Sequence, residues 1–182
     1  MILIVGLGNP GEKFKNTRHN TGREVCNAFG RNQGLSDFNF SKKFNAEICE
    51  GKVGKEKVIL ACPETFMNKS GQAVATIVKF YKIKPENVFV IHDDSDLPLG
   101  GAKMSFGKHS AGHKGVESII KSIKTLDFWR FRIGVGGKKH VEAEKIILKK
   151  FSILFLKKST IIDFHLGEHK DLLKINIKLA TK

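Results

Sequence analysis

Two uninterrupted apolar runs, Met1 to Val5 and Val88 to Ile91, constrain this chain most. Neither alternates polar with apolar residues, so neither suits a strand with one wet face; both read as strands buried on two sides. Amphipathic stretches lie between and after them. Ser70 to Tyr81 puts Ala73, Ile77 and Phe80 on one helical face, and further helices are expected through Phe29, capped by Asn20 or Thr21 and stopping at Gly30, and from Val116 to about Lys124. Ala46 to Val53 and Lys57 to Cys62 flank a Gly54-Lys55 turn and read as a hairpin. Ala102 to Phe106 and Trp129 to Val135 read as further strands, and Ala143–Lys150 and Lys157–Leu166 as closing helices. Strands alternating with helices predict an α/β fold: a mixed, mostly parallel sheet with helices on both faces, in one domain spanning residues 1–182.

The polar residues gather in four segments, GLGNPG, TRHNTG, TFMNKSG and HDDSDLPLG, each expected to be a loop. In such sheets ligands sit beyond the carboxyl ends of the strands, so these segments are expected to converge on one crevice. GLGNPG formally matches a dinucleotide fingerprint. No amphipathic helix opens at its third glycine, however, Pro10 removes a donor, and GRNQGLSD stands where the ribose-binding acid belongs. Its glycines therefore read as a tight turn, with Asn9 held inside it.

His19 lies between Arg18 and Asn20, away from any apolar face, and HDDSDLP supplies Asp93, Asp94 and Asp96 directly after a strand. An imidazole near a carboxylate is the pairing that general-base chemistry needs, but 74 positions separate His19 from Asp93 and spacing does not decide whether they meet. No nucleophile elbow is present and no cysteine is placed for attack, so the candidate base would activate water. Asn68 reads either as a donor to the oxyanion or to that water, or as a turn residue before a helix capped by Ser70. His165-Leu-Gly-Glu168-His169 mimics a zinc-protease string, yet Gly167 weakens the helix it needs. His109 and His113 sit in a glycine-rich loop; no metal site is expected.

Charge bears on partners. The chain carries 32 basic and 18 acidic side chains, with 14 and 8 of them in residues 1–91. The excess is thus spread over the body and is not a basic tail, which suits a phosphate-backbone partner, although a solvated lysine surface has the same composition. No apolar stretch is long enough for a transmembrane helix, the N-terminus has no signal-peptide pattern, and Cys26, Cys49 and Cys62 are unpaired in pattern, so a cytoplasmic protein is expected.

Six segments in order, IVGLGNPG, F-x-x-TRHN-x-G, P-x-TFMN-x-SG, HDD-x-DLP-x-G, AGH-x-G and FxRxRIGVG, resemble the bacterial-type peptidyl-tRNA hydrolase family. The resemblance implies hydrolysis of the ester between a peptide and the 3′ ribose of tRNA. It implies His19 as base, Asp93 as its orienting carboxylate, Asn68 as oxyanion donor or water-positioning group and Asn9 as the group that contacts the peptide and rejects unblocked aminoacyl-tRNA. Phe14, Phe66, Met67, His113 and Lys114 would line the substrate channel, while Lys103 and Arg132 would grip acceptor-stem phosphates. No cofactor is implied, and a monomer is. Phe14 stands where the family usually has tyrosine, Lys114 where it usually has asparagine, and Ser105 where a second basic residue often follows Lys103. The rival expectation is a noncatalytic RNA-binding relative of the same fold.

Overall fold

The computed structural model describes residues 1–136 and the backbone of two further strands, Ser159–His165 and Lys174–Leu179. In chain order the elements are β1 (Ile2–Gly6), α1 (Thr21–Asn32), β2 (Asn39–Ser41), β3 (Ala46–Val53), β4 (Glu56–Pro63), α2 (Ser70–Tyr81), β5 (Val88–Pro98), β6 (Ala102–Phe106), α3 (Lys114–Ile123), β7 (Trp129–Gly136), β8 (Ser159–His165) and β9 (Lys174–Leu179). Seven strands form one sheet in the order β2-β3-β4-β1-β5-β7-β6, and β8 pairs antiparallel with β9 in a second.

The sheet is mixed, as expected, and its parallel part is its centre. β1 pairs in parallel with β4 and β5, and β5 with β7, while β2, β3 and β6 join antiparallel at the flanks. Parallel pairing is thus half of the sheet's pairings. Helices cover both faces because side chains of β1 alternate between them. Leu3 and Val5 pack with Ala73, Val74 and Ile77 of α2 and Val116 and Ile119 of α3. Ile2 and Ile4 pack with Cys26 and Phe29 of α1. The three cysteines are free thiols buried in this interior.

Close packing sets α1 against the carboxyl end of the sheet. A Cβ on Gly22 would lie 2.2 Å from the Ile91 carbonyl oxygen and 2.8 Å from that of Leu7, so only glycine lets the helix start come this near. The Arg23 side chain then ties α1 to the end of β4, donating from Nη1 to the Pro63 carbonyl at 3.0 Å and forming an ion pair with Glu64.

Several expectations change. The acidic segment is not a loop: β5 runs on through Pro98, its register reaching Gly134 from Asp94 and Gly136 from Pro98. α1 continues past Gly30 to Asn32. Ser159–His165 is a strand, where the sequence reads as a helix over Lys157–Leu166, so His165 does not sit on the helix that a zinc-protease string requires. The helix expected over Ala143–Lys150 lies outside the described residues. Ser70 does not cap α2; Lys69 occupies the cap position and the Ser70 hydroxyl is buried in the first turn.

Candidate active site

Because β1, β4, β5 and β7 run parallel, their carboxyl ends meet at one edge, and the polar segments collect there. His19 sits in a 3₁₀ turn, Arg18–Asn20, whose two outer residues are tied to β7 and to the loop after β1. Arg18 Nη1 donates to the Val135 carbonyl at the end of β7, at 2.8 Å. The Asn20 side chain clasps the backbone of Asn9 after β1, accepting from its N–H and donating to its carbonyl, each at 2.9 Å. Asn20, a candidate helix cap by sequence, uses its side chain for this clasp and makes no capping bond.

With both neighbours anchored, His19 faces β5. Its Nδ1 lies 2.9 and 3.0 Å from the two oxygens of Asp93. An ionised carboxylate only accepts, so Nδ1 carries the hydrogen, and in the neutral ring Nε2 holds the lone pair. A second imidazole approaches the same carboxylate: His113 Nε2 is 3.0 Å from Asp93 Oδ1. Burial acts to raise the Asp93 carboxyl, but the hydrogen bonds from His113 and His19 outweigh it and hold the group well below the usual carboxylate range. Asp93 is therefore a buried anion with two donors.

His92, whose Nδ1 donates to the Asp93 carbonyl at 2.7 Å, completes the cluster from behind. Burial, reinforced by the neighbouring His113, pushes its imidazole down to about 3, so this ring is neutral. Its role was not legible in the sequence beyond its place beside Asp93. The Asp94 carboxylate accepts from Arg132 Nε at 2.5 Å. Arg130, almost wholly buried, donates from Nη1 to the His109 carbonyl and so fastens the glycine-rich loop to β7. That loop turns into α3 through left-handed Ala111 and Gly112, with φ of 49° and 81°.

A cleft of about 320 Å³ has His19, His92, Asp93, Asp94, Asp96, His113 and Lys114 on its walls. Asn9 and Asn68 are not among the residues that line it. The Asn9 side-chain oxygen accepts from the Met67 N–H at 2.8 Å, which joins the loop after β1 to the turn after β4. Asn68 is exposed on that turn, next to buried Met67. Phe14 and Phe66 meet edge to face, their centroids 6.4 Å apart. Lys103 and Arg132 are directly opposite each other on β6 and β7, outside the cleft.

His19, Asp93 and His113 also have the donor set of a metal site, with ligand atoms within 4.8 Å of one another. The tautomers oppose that use. His113 Nδ1 accepts from the Val116 N–H at 3.3 Å, so its Nε2 bears a hydrogen and points it at Asp93. A metal ligand needs that lone pair free.

A family model described as peptidyl-tRNA hydrolase matches residues 3–178. The chain belongs to the peptidyl-tRNA hydrolase family. A peptidyl-tRNA hydrolase of Thermodesulfovibrio yellowstonii is 43% identical over 154 residues, covering 84% of this chain and 81% of the relative. One from Clostridium botulinum is 39% identical over 181 residues, covering 100% of this chain and 86% of its own. Among solved structures, the peptidyl-tRNA hydrolase of Acinetobacter baumannii aligns with a TM-score of 0.78 at 34% identity, over 84% of this chain and 77% of that one. Membership in the peptidyl-tRNA hydrolase family thus rests on sequence across nearly the whole chain and on the fold. Among the described residues no helix is long and apolar enough to cross a membrane.

Proposed function

We propose that this protein hydrolyses the ester joining a peptide, or an N-blocked aminoacyl group, to the 3′ ribose of tRNA. The observation that carries the reading is the His19–Asp93 pair on the wall of the cleft, in a chain of the peptidyl-tRNA hydrolase family.

The residues suit a direct attack by water. His19 Nε2 takes a proton from a water molecule as the water oxygen bonds to the ester carbonyl carbon. Asp93 keeps the ring in this tautomer and stabilises the imidazolium that forms. Asn68 donates to the developing oxyanion. Collapse breaks the bond to the ribose oxygen, which takes the proton back from His19, leaving a peptide acid and a free tRNA 3′ hydroxyl. An ester is activated enough for a positioned base and one donor to serve without a covalent intermediate.

Asn9 supports selection for blocked substrates. Its side-chain oxygen is committed to the Met67 N–H, so its free amide group is a donor. A donor there accepts the company of an acyl carbonyl and repels a free ammonium, which has no lone pair to offer. Phe66, an exposed ring braced by Phe14, suits stacking with bases of the 3′ end, and Met67 supports that turn from below. Lys103 and Arg132 suit phosphates of the acceptor stem. Lys114, an ammonium at the cleft where the family usually has an amide, suits an anionic group of the tRNA end. The reading is of a cytoplasmic protein that acts as a monomer, with residues 1–182 as one domain.

The test is to incubate the protein with an N-acetylated aminoacyl-tRNA and its unblocked counterpart and to measure the released acyl group. The reading predicts cleavage of the blocked ester with little of the other. Tight tRNA binding without release would contradict it and leave an RNA-binding relative.

A further inference from the structure

The resemblance makes His113 a substrate-contacting residue, but its side chain is only 9% exposed and both ring nitrogens already have partners. We propose instead that His113 is a positioning residue, which holds the Asp93 carboxylate in the orientation that presents both oxygens to His19. The proposal rests on the catalytic reading of His19 given above.

The geometry supports it in three steps. Asp93 Oδ1 receives His19 Nδ1 at 2.9 Å and His113 Nε2 at 3.0 Å, while Oδ2 receives His19 alone at 3.0 Å. Rotation of the carboxylate about its terminal bond is soft, since sp³–sp² torsions have broad wells, so one donor alone leaves its plane poorly fixed. A second donor on one oxygen breaks that freedom. His113 in turn cannot switch tautomer at no cost. The Val116 N–H, in the first turn of α3, points at Nδ1 from 3.3 Å and keeps the ring hydrogen on Nε2.

Ring packing restricts the remaining motion. His92 meets His113 edge to face with centroids 4.6 Å apart, and the His19 ring packs against it with centroids 5.1 Å apart. His92 is itself fixed by its bond to the Asp93 carbonyl. The start of α3 thereby sets a hydrogen that sets a carboxylate that sets the base, and none of these links requires His113 to touch substrate.

Two substitutions separate this role from simple helix capping. His113→Asn keeps an oxygen that can cap the Val116 N–H but is too short to reach Asp93. His113→Gln reaches Asp93 with its terminal amide but gives up the cap. The proposal predicts that Asn lowers kcat on N-acetyl-aminoacyl-tRNA about 10–100-fold, the usual cost of losing a residue that orients a functional ligand, with KM within about twofold. Gln recovers most of that loss. Ring ¹⁵N spectra of His19, recorded without tRNA, show the Nδ1–H form in the wild type and in Gln and a mixture of tautomers in Asn.

Wild-type kcat in the Asn variant, a rise in KM alone, or impairment of Gln but not Asn would each overturn the proposal. The His19 spectra keep the test decisive if either variant unfolds on heating more readily than the other. They also separate the two claims: a wild-type protein that cleaves no ester contradicts the function, whereas unchanged His19 spectra in Asn contradict the positioning role.

Discussion

His19 and Asp93 meet side by side, with Nδ1 2.9 and 3.0 Å from the two carboxylate oxygens, although 74 positions separate them. The pairing exists because Arg18 is tied to β7 and Asn20 to the loop after β1, which leaves the ring between them facing the end of β5. Asp93→Asn keeps the shape and removes the charge. Loss of imidazolium stabilisation and of a defined tautomer should lower kcat by about 10³-fold or more, with KM little changed, in steady-state hydrolysis of N-acetyl-aminoacyl-tRNA.

Gly22 holds the same region together by having no side chain. Gly22→Ala drives a methyl into the backbone oxygens of Ile91 and Leu7 and should cost roughly 3 kcal/mol in urea denaturation. Gly51→Ala is the contrast, since its new Cβ meets only the end of the Leu35 side chain, at 2.7 Å, which can turn aside. Its cost should stay within about 1 kcal/mol.

His92 makes the fold sensitive to acid. Its folded-state imidazole, at about 3, lies below the unfolded value near 6.5, so between these the unfolded chain binds the extra proton. Stability is therefore full above the unfolded value and falls as pH drops towards about 3, by up to about 1.4 kcal/mol per pH unit from this group. Asn at this position can still donate to the Asp93 carbonyl and does not titrate. Denaturation of His92→Asn between pH 7 and 4 should show a shallower acid slope than the wild type.

Lys103 is exposed on edge strand β6, opposite Arg132, whose Nε is already engaged by Asp94. Removing one cation that neutralises a phosphate should reduce the dependence of log affinity on log salt by about one. Lys103→Ala should do so in tRNA titrations across a salt series, and an unchanged slope would remove it from the phosphate surface.

The central strands were legible because burial on both faces leaves an uninterrupted apolar run, as in Met1–Val5 and Val88–Ile91. Strands whose identity depends on a distant partner were not. β2 has three residues, Phe40 among them largely exposed, and forms only by pairing with β3. Asp94 to Pro98 looks like a polar loop until β7 takes up its backbone. Ser159–His165 carries a pattern that fits a helix and is decided by pairing with Lys174–Leu179.

In the site, the residue types and their segments were readable, and their pairings were not. The motif order named His19, Asp93, Asn9 and Asn68, but the use of His113 against Asp93 depends on where α3 begins. Likewise Asn20 looks like a cap until the loop after β1 is seen to lie across it. Both cases turn on long-range placement, to which local spacing is blind.

The account depends most on His19 as the base. The direct measurement is turnover of N-acetyl-aminoacyl-tRNA by His19→Ala beside its affinity for the same tRNA. The account predicts that hydrolysis is abolished while binding stays within a few-fold of wild type, since phosphate contacts dominate affinity. Substantial hydrolysis by the variant would contradict it, because among the described residues no other imidazole bonds the Asp93 carboxylate through one nitrogen and keeps a free lone pair on the other.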